Sequence, residues 1–458
     1  MASLPSYVAA AQPVPKDKRV PWFKTTAQTY AGIMLWFVFW ESVPTAASTP
    51  GGILGQGIVP AILGVVIAAL ICHFLFFIAP GMLGMKTGLP LAVVGTSTYG
   101  VQGGFLMPGF FMGVLQFGWL AVNAYFSAKV LAKFYDFPEM SNVHLTIGAI
   151  FAIAAALVGL KGINYVAKVA TYLPLIPLVI LLVLLAKTVS GVGAFKPEMV
   201  TAGANAPGSM NLMLFAIAGI VGFFATAGAA GVDIASSNRN AKDVQLGGLA
   251  GVAGATILTG CFALLIVAGA YGAGLATGKT VVLKPTELME AIMGERTGKI
   301  FGLLLAIAAF PPACFSSLIA AASFKNTLPK VNPFISCGIG TAASIALVLS
   351  GKAGDAAGVF GIIGASFGPI CGAMTADYLL AGRKWAGPRA GFNMPGWISW
   401  AVGFIVGAWN SLFAGLLHVD FQMPCPPVAA YIVGFVLYII LAKAGMESQK
   451  LGHPAVKT

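Results

Sequence analysis

Glu41 stands inside a mostly apolar stretch, residues 30–48. A carboxylate buried in such a segment is costly and points to function. It could carry a proton, pair with a cationic substrate, or bond to backbone released near Pro44. A second constellation is Gln116, Trp119 and Asn123, spaced three and four residues apart, so that all three share one side of a helix. An indole face between two amides, each carrying a carbonyl and an NH2, suits a flat heterocycle edged with donors and acceptors. The alternative is structural, with Trp119 packing on a neighbouring helix and Gln116 bonding across a bundle. The four histidines, at 73, 144, 418 and 453, fall in no metal spacing, and no nucleophile has a base beside it in sequence. This argues against an enzyme. Neither a carbonyl-filter repeat nor a ring of like charges is present to argue for a channel.

The elements that must position these residues are membrane helices. Hydrophobic residues make up 58% of the chain and charged ones 9%, and no polar block is long enough for a soluble domain. Twelve spans are expected, at 30–48, 53–79, 105–132, 144–161, 166–187, 210–232, 245–273, 299–323, 333–350, 358–380, 396–417 and 427–443. They form one transmembrane domain, 27–443, between tails 1–26 and 444–458. The net charge of +12 suggests nucleic acid at first sight, but the basic residues sit in loops without interleaved aromatics. About 17 of the 26 Lys and Arg fall on the side of the N-terminus, among them Lys86, Lys168, Arg239, Arg383, Arg389 and Lys457. Acidic loops with Asp136, Glu139, Glu287, Glu290, Glu295 and Asp420 fall mainly opposite. Both termini are therefore expected in the cytoplasm of a multi-pass plasma-membrane protein, with the first span as insertion signal. The six cysteines show no ligand spacing and are expected to pack.

Two spans look discontinuous. The first carries Glu41-Ser42-Val43-Pro44-Thr45 and the sixth Thr226-Ala227-Gly228-Ala229-Ala230-Gly231, both able to unwind. If spans 1–5 and 6–10 are inverted halves, these breaks correspond, which is the arrangement of a carrier with a mid-membrane site. In the eighth span Pro311-Pro312 should kink the helix and release carbonyls. His73, on an apolar helix, reads as a packing or inter-helix hydrogen-bonding residue.

Several segments, in order and at matching spacing, resemble the nucleobase:cation symporter family typified by the cytosine permeases. They are Gly84-Met85-Lys86-Thr87-Gly88-Leu89, Tyr99-Gly100-Val101-Gln102-Gly103, Leu115-Gln116-Phe117-Gly118-Trp119, Asp233 with Arg239-Asn240-Ala241-Lys242, and the run Gly364 to Lys384 with Asp377-Tyr378 and Arg383-Lys384. The resemblance implies an all-α leucine-transporter fold, two inverted five-helix repeats plus two C-terminal helices. It assigns substrate contact to Gln116 and Trp119, and it turns the stretch of Phe223, Phe224 and Thr226 toward the substrate, with Phe224 preferred. Asn123 is added from its position on the helix.

Phe223 departs from the cytosine permeases, which carry a small hydroxyl residue there, and this puts cytosine itself in doubt. Span 8 lacks the hydroxyl pair of the sodium-coupled relatives, where Ser316 and Ser317 would serve only after a register shift. A proton is thus expected as coupling cation rather than sodium. Glu41, Ser42 and Thr45 are the coupling candidates, and Asp233 and Asp377 are expected in gate or loop-locking ion pairs. The implied activity is proton-coupled import of a cytosine- or purine-like nucleobase, with a small heterocyclic substrate and the lipid bilayer as partners and no cofactor. The alternatives are a carrier for allantoin, a hydantoin or a vitamin-like pyrimidine, and a substrate sensor of the same fold that does not transport.

Overall fold

The computed structural model describes residues 4–161, 172–276 and 280–453. The described residues are helical, with two isolated bridges, Val20 to Asn238 and Arg389 to Lys450, and no strand. We label the long helices α1 (two halves, Thr26–Met34 and Phe37–Ser42), α2 (Ile58–Thr87), α3 (Thr96–Phe134), α4 (Asn142–Lys161), α5 (Leu175–Ala194) and α6 (Ser209–Ala235). They continue as α7 (Ala241–Gly272), α8 (Glu295–Ala308 and Phe310–Thr327), α9 (Pro333–Leu349), α10 (Ala356–Leu380), α11 (Met394–Gly407 and Trp409–Leu417) and α12 (Pro426–Lys443). A surface helix, Pro285–Met293, lies between α7 and α8. Nine of the described helices are long and apolar enough to cross a membrane, ten with the bent α11 pair. The other two expected spans are the broken α1 and the shorter apolar α9. The start of the fifth expected span and Lys168 and Lys457 lie outside the described residues.

With lipid tails as apolar as the side chains, helices associate through close contact of small residues rather than through hydrophobic exclusion. The run Gly364 to Lys384 shows this directly. Gly364, Gly368 and Gly372 form a stripe at four-residue spacing, and α12 presses against it: a Cβ on Gly372 would stand 2.2 Å from the Tyr431 carbonyl oxygen. On the same helix Pro369 receives Gly434 of α12 and Gly403 of α11. The apolar part of the family-like segment thus builds the seam that joins α10, α11 and α12.

The breaks fall differently from the sequence expectation. In α1 the helix opens at Leu35–Trp36, where Trp36 is extended with φ −64° and ψ 125°. Glu41 and Ser42 are the last helical residues of the second half, so Pro44 ends that half rather than interrupting a span. In α6 no break exists: the helix is continuous from Ser209 to Ala235. Its glycines are spent on packing instead. A Cβ on Gly228 would lie 3.0 Å from the Phe76 Cβ, and one on Gly231 would lie 2.9 Å from the Phe77 ring, both on α2. In α8 the kink is where the two prolines place it, with Pro311 and Pro312 opening the second half just after Ala309.

Candidate functional site

Two regions gather the polar residues. The first is an open vestibule of about 740 Å³ on the face opposite the two termini. Glu41, Ser42 and Thr45 line it from α1 and its end, and Phe39, Phe223 and Phe360 contribute phenyl rings from α1, α6 and α10. The Phe39 and Phe223 rings are 4.6 Å apart, and Phe223 meets Phe360 edge-on at 5.1 Å. Two indoles outside that lining pack against Phe223, Trp36 at 6.0 Å and Trp119 at 4.9 Å, and they lie 5.5 Å from each other. Trp119 also packs against Phe360, its ring centre 5.0 Å away and tilted by 30°. The Trp119 Nε1–H donates to the Thr226 hydroxyl across 3.1 Å, tying α3 to α6.

Around this aromatic cluster several buried polar groups are unspent. The Gln116 amide is 5% exposed, and its NH2 finds only the Met112 thioether, at 3.5 Å. The Trp36 Nε1, the Asn123 Oδ1 and the Glu41 Oε2 have no hydrogen-bond partner among the described residues. Buried donors and acceptors left open in this way cost about 1–3 kcal/mol each, and a bound polar molecule would recover part of that.

Of the residues singled out from the sequence, Gln116, Trp119, Asn123 and Thr226 are buried on α3 and α6, and the indole and hydroxyl of Trp119 and Thr226 touch. Phe224 and Phe223 face different neighbours. Phe224 faces Tyr30 of α1 at 5.8 Å, and Phe223 is the ring that meets Trp119, because helical rotation puts positions 223 and 226 on one face and 224 on another. Trp36, Phe39 and Phe360 went unrecognised in the sequence. The dense aromatic run from Trp36 to Trp40 was the available signal for the first two. The Ser42 hydroxyl bonds back to the Val38 carbonyl at 2.6 Å, and that of Thr45 to the Ser42 carbonyl at 3.2 Å, so both stabilise the end of α1. In α8 the Ser317 hydroxyl is buried without a partner, whereas Ser316 bonds to Pro312 at 3.5 Å. His73 is buried beside Phe74 and Phe77.

The second region closes the face that carries the termini. Asp377, at the end of α10, accepts from the Arg389 guanidinium at 2.8 Å, from the Thr98 and Tyr438 hydroxyls at 3.2 and 3.1 Å, and from the Ser97 hydroxyl. Arg389 reaches Glu447 of the C-terminal segment at 2.6 Å and the Ser97 carbonyl. Asp377 and Arg389 are each 2% exposed. Burial alone would lower the Arg389 pKa, but the charges of Asp377 and its neighbours outweigh it and hold the guanidinium above the ordinary arginine value. Main-chain bonds accompany the pair: Val101 N–H to the Arg389 carbonyl at 2.7 Å and Asn393 N–H to the Tyr99 carbonyl at 2.9 Å. Gly100, at φ +82°, lets the two segments approach, since a Cβ there would meet the Gly391 oxygen at 2.2 Å.

Lys86 bonds to the Arg383 carbonyl and sits 5.4 Å from the Tyr378 ring centre, so two of the family-like segments meet in space. Among the described residues Asp233 makes no ion pair. Its carboxylate accepts from the Leu91 N–H at 2.8 Å, fixing the start of the chain into α3.

The sequence profile of the family described as permeases for cytosine and purines, uracil, thiamine and allantoin matches residues 19–434. The chain belongs to this family. It is a membrane transporter and not an enzyme. Its fold is shared with Mhp1, a nucleobase-cation-symport-1 family transporter solved closed with bromovinylhydantoin bound: TM-score 0.68, 16% identity, 96% of this chain and 95% of that one. A Na+-coupled sialic acid symporter superposes at TM-score 0.62 with 12% identity, over 95% of this chain and 92% of that one. The manganese transporter of Eremococcus coleocola superposes at 0.54 with 13% identity, over 95% and 99%. At these identities the likeness is one of fold. No curated protein sequence matches significantly. The permease fold places the aromatic cluster where α1, α3, α6 and α10 converge, and the Asp377 cluster on the face beyond it.

Proposed function

We propose that this permease imports a nucleobase or a similarly flat, amide-edged heterocycle, driven by protons, from the vestibule to the side that carries the termini. The observation that carries the reading is the pair of indoles, Trp36 and Trp119, beside the unspent Gln116 amide at the convergence of α1, α3, α6 and α10. Aromatic faces hold a flat ring on both sides, and one amide matches its edge in two places. Phe223 gives the floor of the vestibule a bulk that favours a ring other than cytosine, such as a hydantoin of the kind bound to Mhp1 or allantoin. Glu41 is the proton carrier of this reading: it is 4% exposed, lines the vestibule and leaves one oxygen free. Positive charge in the loops near the termini supports a cytoplasmic location for both tails.

The test is uptake of radiolabelled cytosine, uracil, hypoxanthine, allantoin and a hydantoin into proteoliposomes under an imposed proton or sodium gradient, for the wild type and Glu41→Gln. Proton-driven accumulation lost in Glu41→Gln is the expected result. Sodium-driven uptake would overturn the coupling, and binding without uptake would make the protein a sensor.

A further inference from the structure

We propose that protons reach Glu41 by a route separate from that of the substrate, through a small polar chamber between α3, α8 and the surface helix Pro285–Met293. The inference rests on the reading of Glu41 as proton carrier.

Glu41 stands between two cavities. One is the vestibule; the other is a chamber of about 30 Å³ lined by Lys129, Lys133, Lys299, Thr286, Glu287 and Glu290 together with apolar residues of α3 and the surface helix and two glycines of α8. The two linings share only Glu41 and Phe126. No heterocycle enters a space of that size, but about two water molecules fit. A buried water needs polar partners, and the free Glu41 Oε2, the Thr286 hydroxyl and the Lys129 ammonium supply them. The Glu41 carboxyl thus borders the chamber with one oxygen unpartnered among the described residues.

The charges around the chamber favour a proton over a metal cation. Lys284, Lys129 and Glu287 are the charged groups nearest Glu41. Lys129 from α3 is bound to Glu139 at 2.9 Å and Glu287 at 3.2 Å, so much of its charge is answered there. Further out, Lys133 pairs with Glu290 at 3.0 Å, and Lys299 of α8 is held by Asp136 and Glu295. On the vestibule side Asp355 is the acidic group. The facing part of α7, Ala255–Gly272, carries no charged residue. The three ammonium groups in the lining are paired with carboxylates, which leaves no cage of free oxygens for a metal ion. Carboxylates at Glu287 and Glu290, joined by water, give a proton successive acceptors from the surface to Glu41. The vestibule lining mixes Phe39, Phe223 and Phe360 with polar groups, and its one carboxylate besides Glu41 is that of Asp355.

The experiment follows the Glu41 carboxyl itself by infrared difference spectroscopy of the purified protein in lipid, with the band assigned by its loss in Glu41→Gln. After a pH jump, Gly302→Val should protonate Glu41 at least tenfold more slowly than wild type. A Cβ at Gly302 would stand 2.6 Å from the Val130 side chain, so valine there crowds the α3–α8 wall of the chamber without changing charge. At equilibrium, Lys129→Met should move the half-protonation point up by about one pH unit, because loss of a nearby ammonium favours the neutral acid. The first variant reads the route and the second whether the chamber's charges act on Glu41. A wild-type rate in Gly302→Val overturns the chamber as the route, and a wild-type midpoint in Lys129→Met overturns its electrostatic contact with Glu41, without which it could not deliver a proton there. If Glu41→Gln instead keeps proton-driven uptake, the coupling reading itself fails.

Discussion

Replacing Arg389 by Met removes the only cation among the side chains gathered on Asp377. The guanidinium is 2% exposed and bridges Asp377 at 2.8 Å and Glu447 at 2.6 Å. Met fills most of the volume but leaves two carboxylates facing the same Tyr438 hydroxyl, at 3.1 and 3.2 Å. Breaking a buried pair from one side costs about 3–5 kcal/mol. Glu447, with 29% of its side chain exposed, can turn to water, which puts the cost near the lower end, about 3 kcal/mol.

That cost falls on one local contact. The amides of Val101, Gln102 and Asn393 bond across the seam held by Arg389, so they report its opening. At a tenfold change per 1.4 kcal/mol, their hydrogen exchange should accelerate by roughly 150-fold. Amides of α7, far from the seam, should keep the wild-type rate. Uniform acceleration along the chain would mean that Arg389 supports global stability and is no latch. Unchanged exchange at Val101, Gln102 and Asn393 would mean that the main-chain bonds close this face without the ion pair. Either result refutes the view that charge holds it shut.

Gln116→Leu should weaken binding of the accumulated heterocycle by about tenfold or more, since it leaves the ring edge unpaired, as measured by scintillation proximity. Thr226→Val strips the Trp119 N–H of its acceptor and should lower thermal stability by about 1 kcal/mol, while Thr226→Ser retains it. Gly84→Ala should be poorly tolerated, at a cost of about 1–3 kcal/mol in a thermal-shift assay, because its Cβ would lie 2.0 Å from the Val232 carbonyl oxygen on α6. Glu139, in the loop after α3, is pushed up by burial but held below the ordinary carboxylate value by Lys129 and Tyr125. Its folded value is thus the lower one, so its contribution is full at neutral pH and fades as pH falls through that value. Being partly exposed, it contributes less than about 1 kcal/mol, and Glu139→Gln should flatten the acid limb of the stability profile by that amount.

The sequence disclosed what depends on long averages or on fixed spacing. Helical spans follow from runs of apolar residues, and the face shared by Gln116, Trp119 and Asn123 follows from a period of 3.6. Breaks are another matter. Gly228 and Gly231 have the composition of a hinge, and only the presence of Phe76 and Phe77 on α2 decides that they are seats for rings. Conversely Leu35–Trp36 opens α1 with neither glycine nor proline, in a run whose propensity is unremarkable. What makes that opening possible is the company of Trp119 and Phe223, which take the Trp36 indole out of the helical path.

The same logic separates Phe223 from Phe224. Adjacent and chemically identical, they are told apart by the rotation of a helix whose orientation is set by helices elsewhere in the chain. The family-like segments lie, for the most part, where Lys86, Tyr99, Asp377 and Arg383 close the face of the termini, and only Gln116 and Trp119 among them reach the aromatic cluster. Main-chain contacts and paired charges such as these tolerate little change at each position. The aromatic packing around Trp119 and Phe223 imposes fewer such constraints. The resemblance therefore identifies the machine more firmly than its cargo, and Phe223, the departure it reveals, is the residue at which the cargo should be sought.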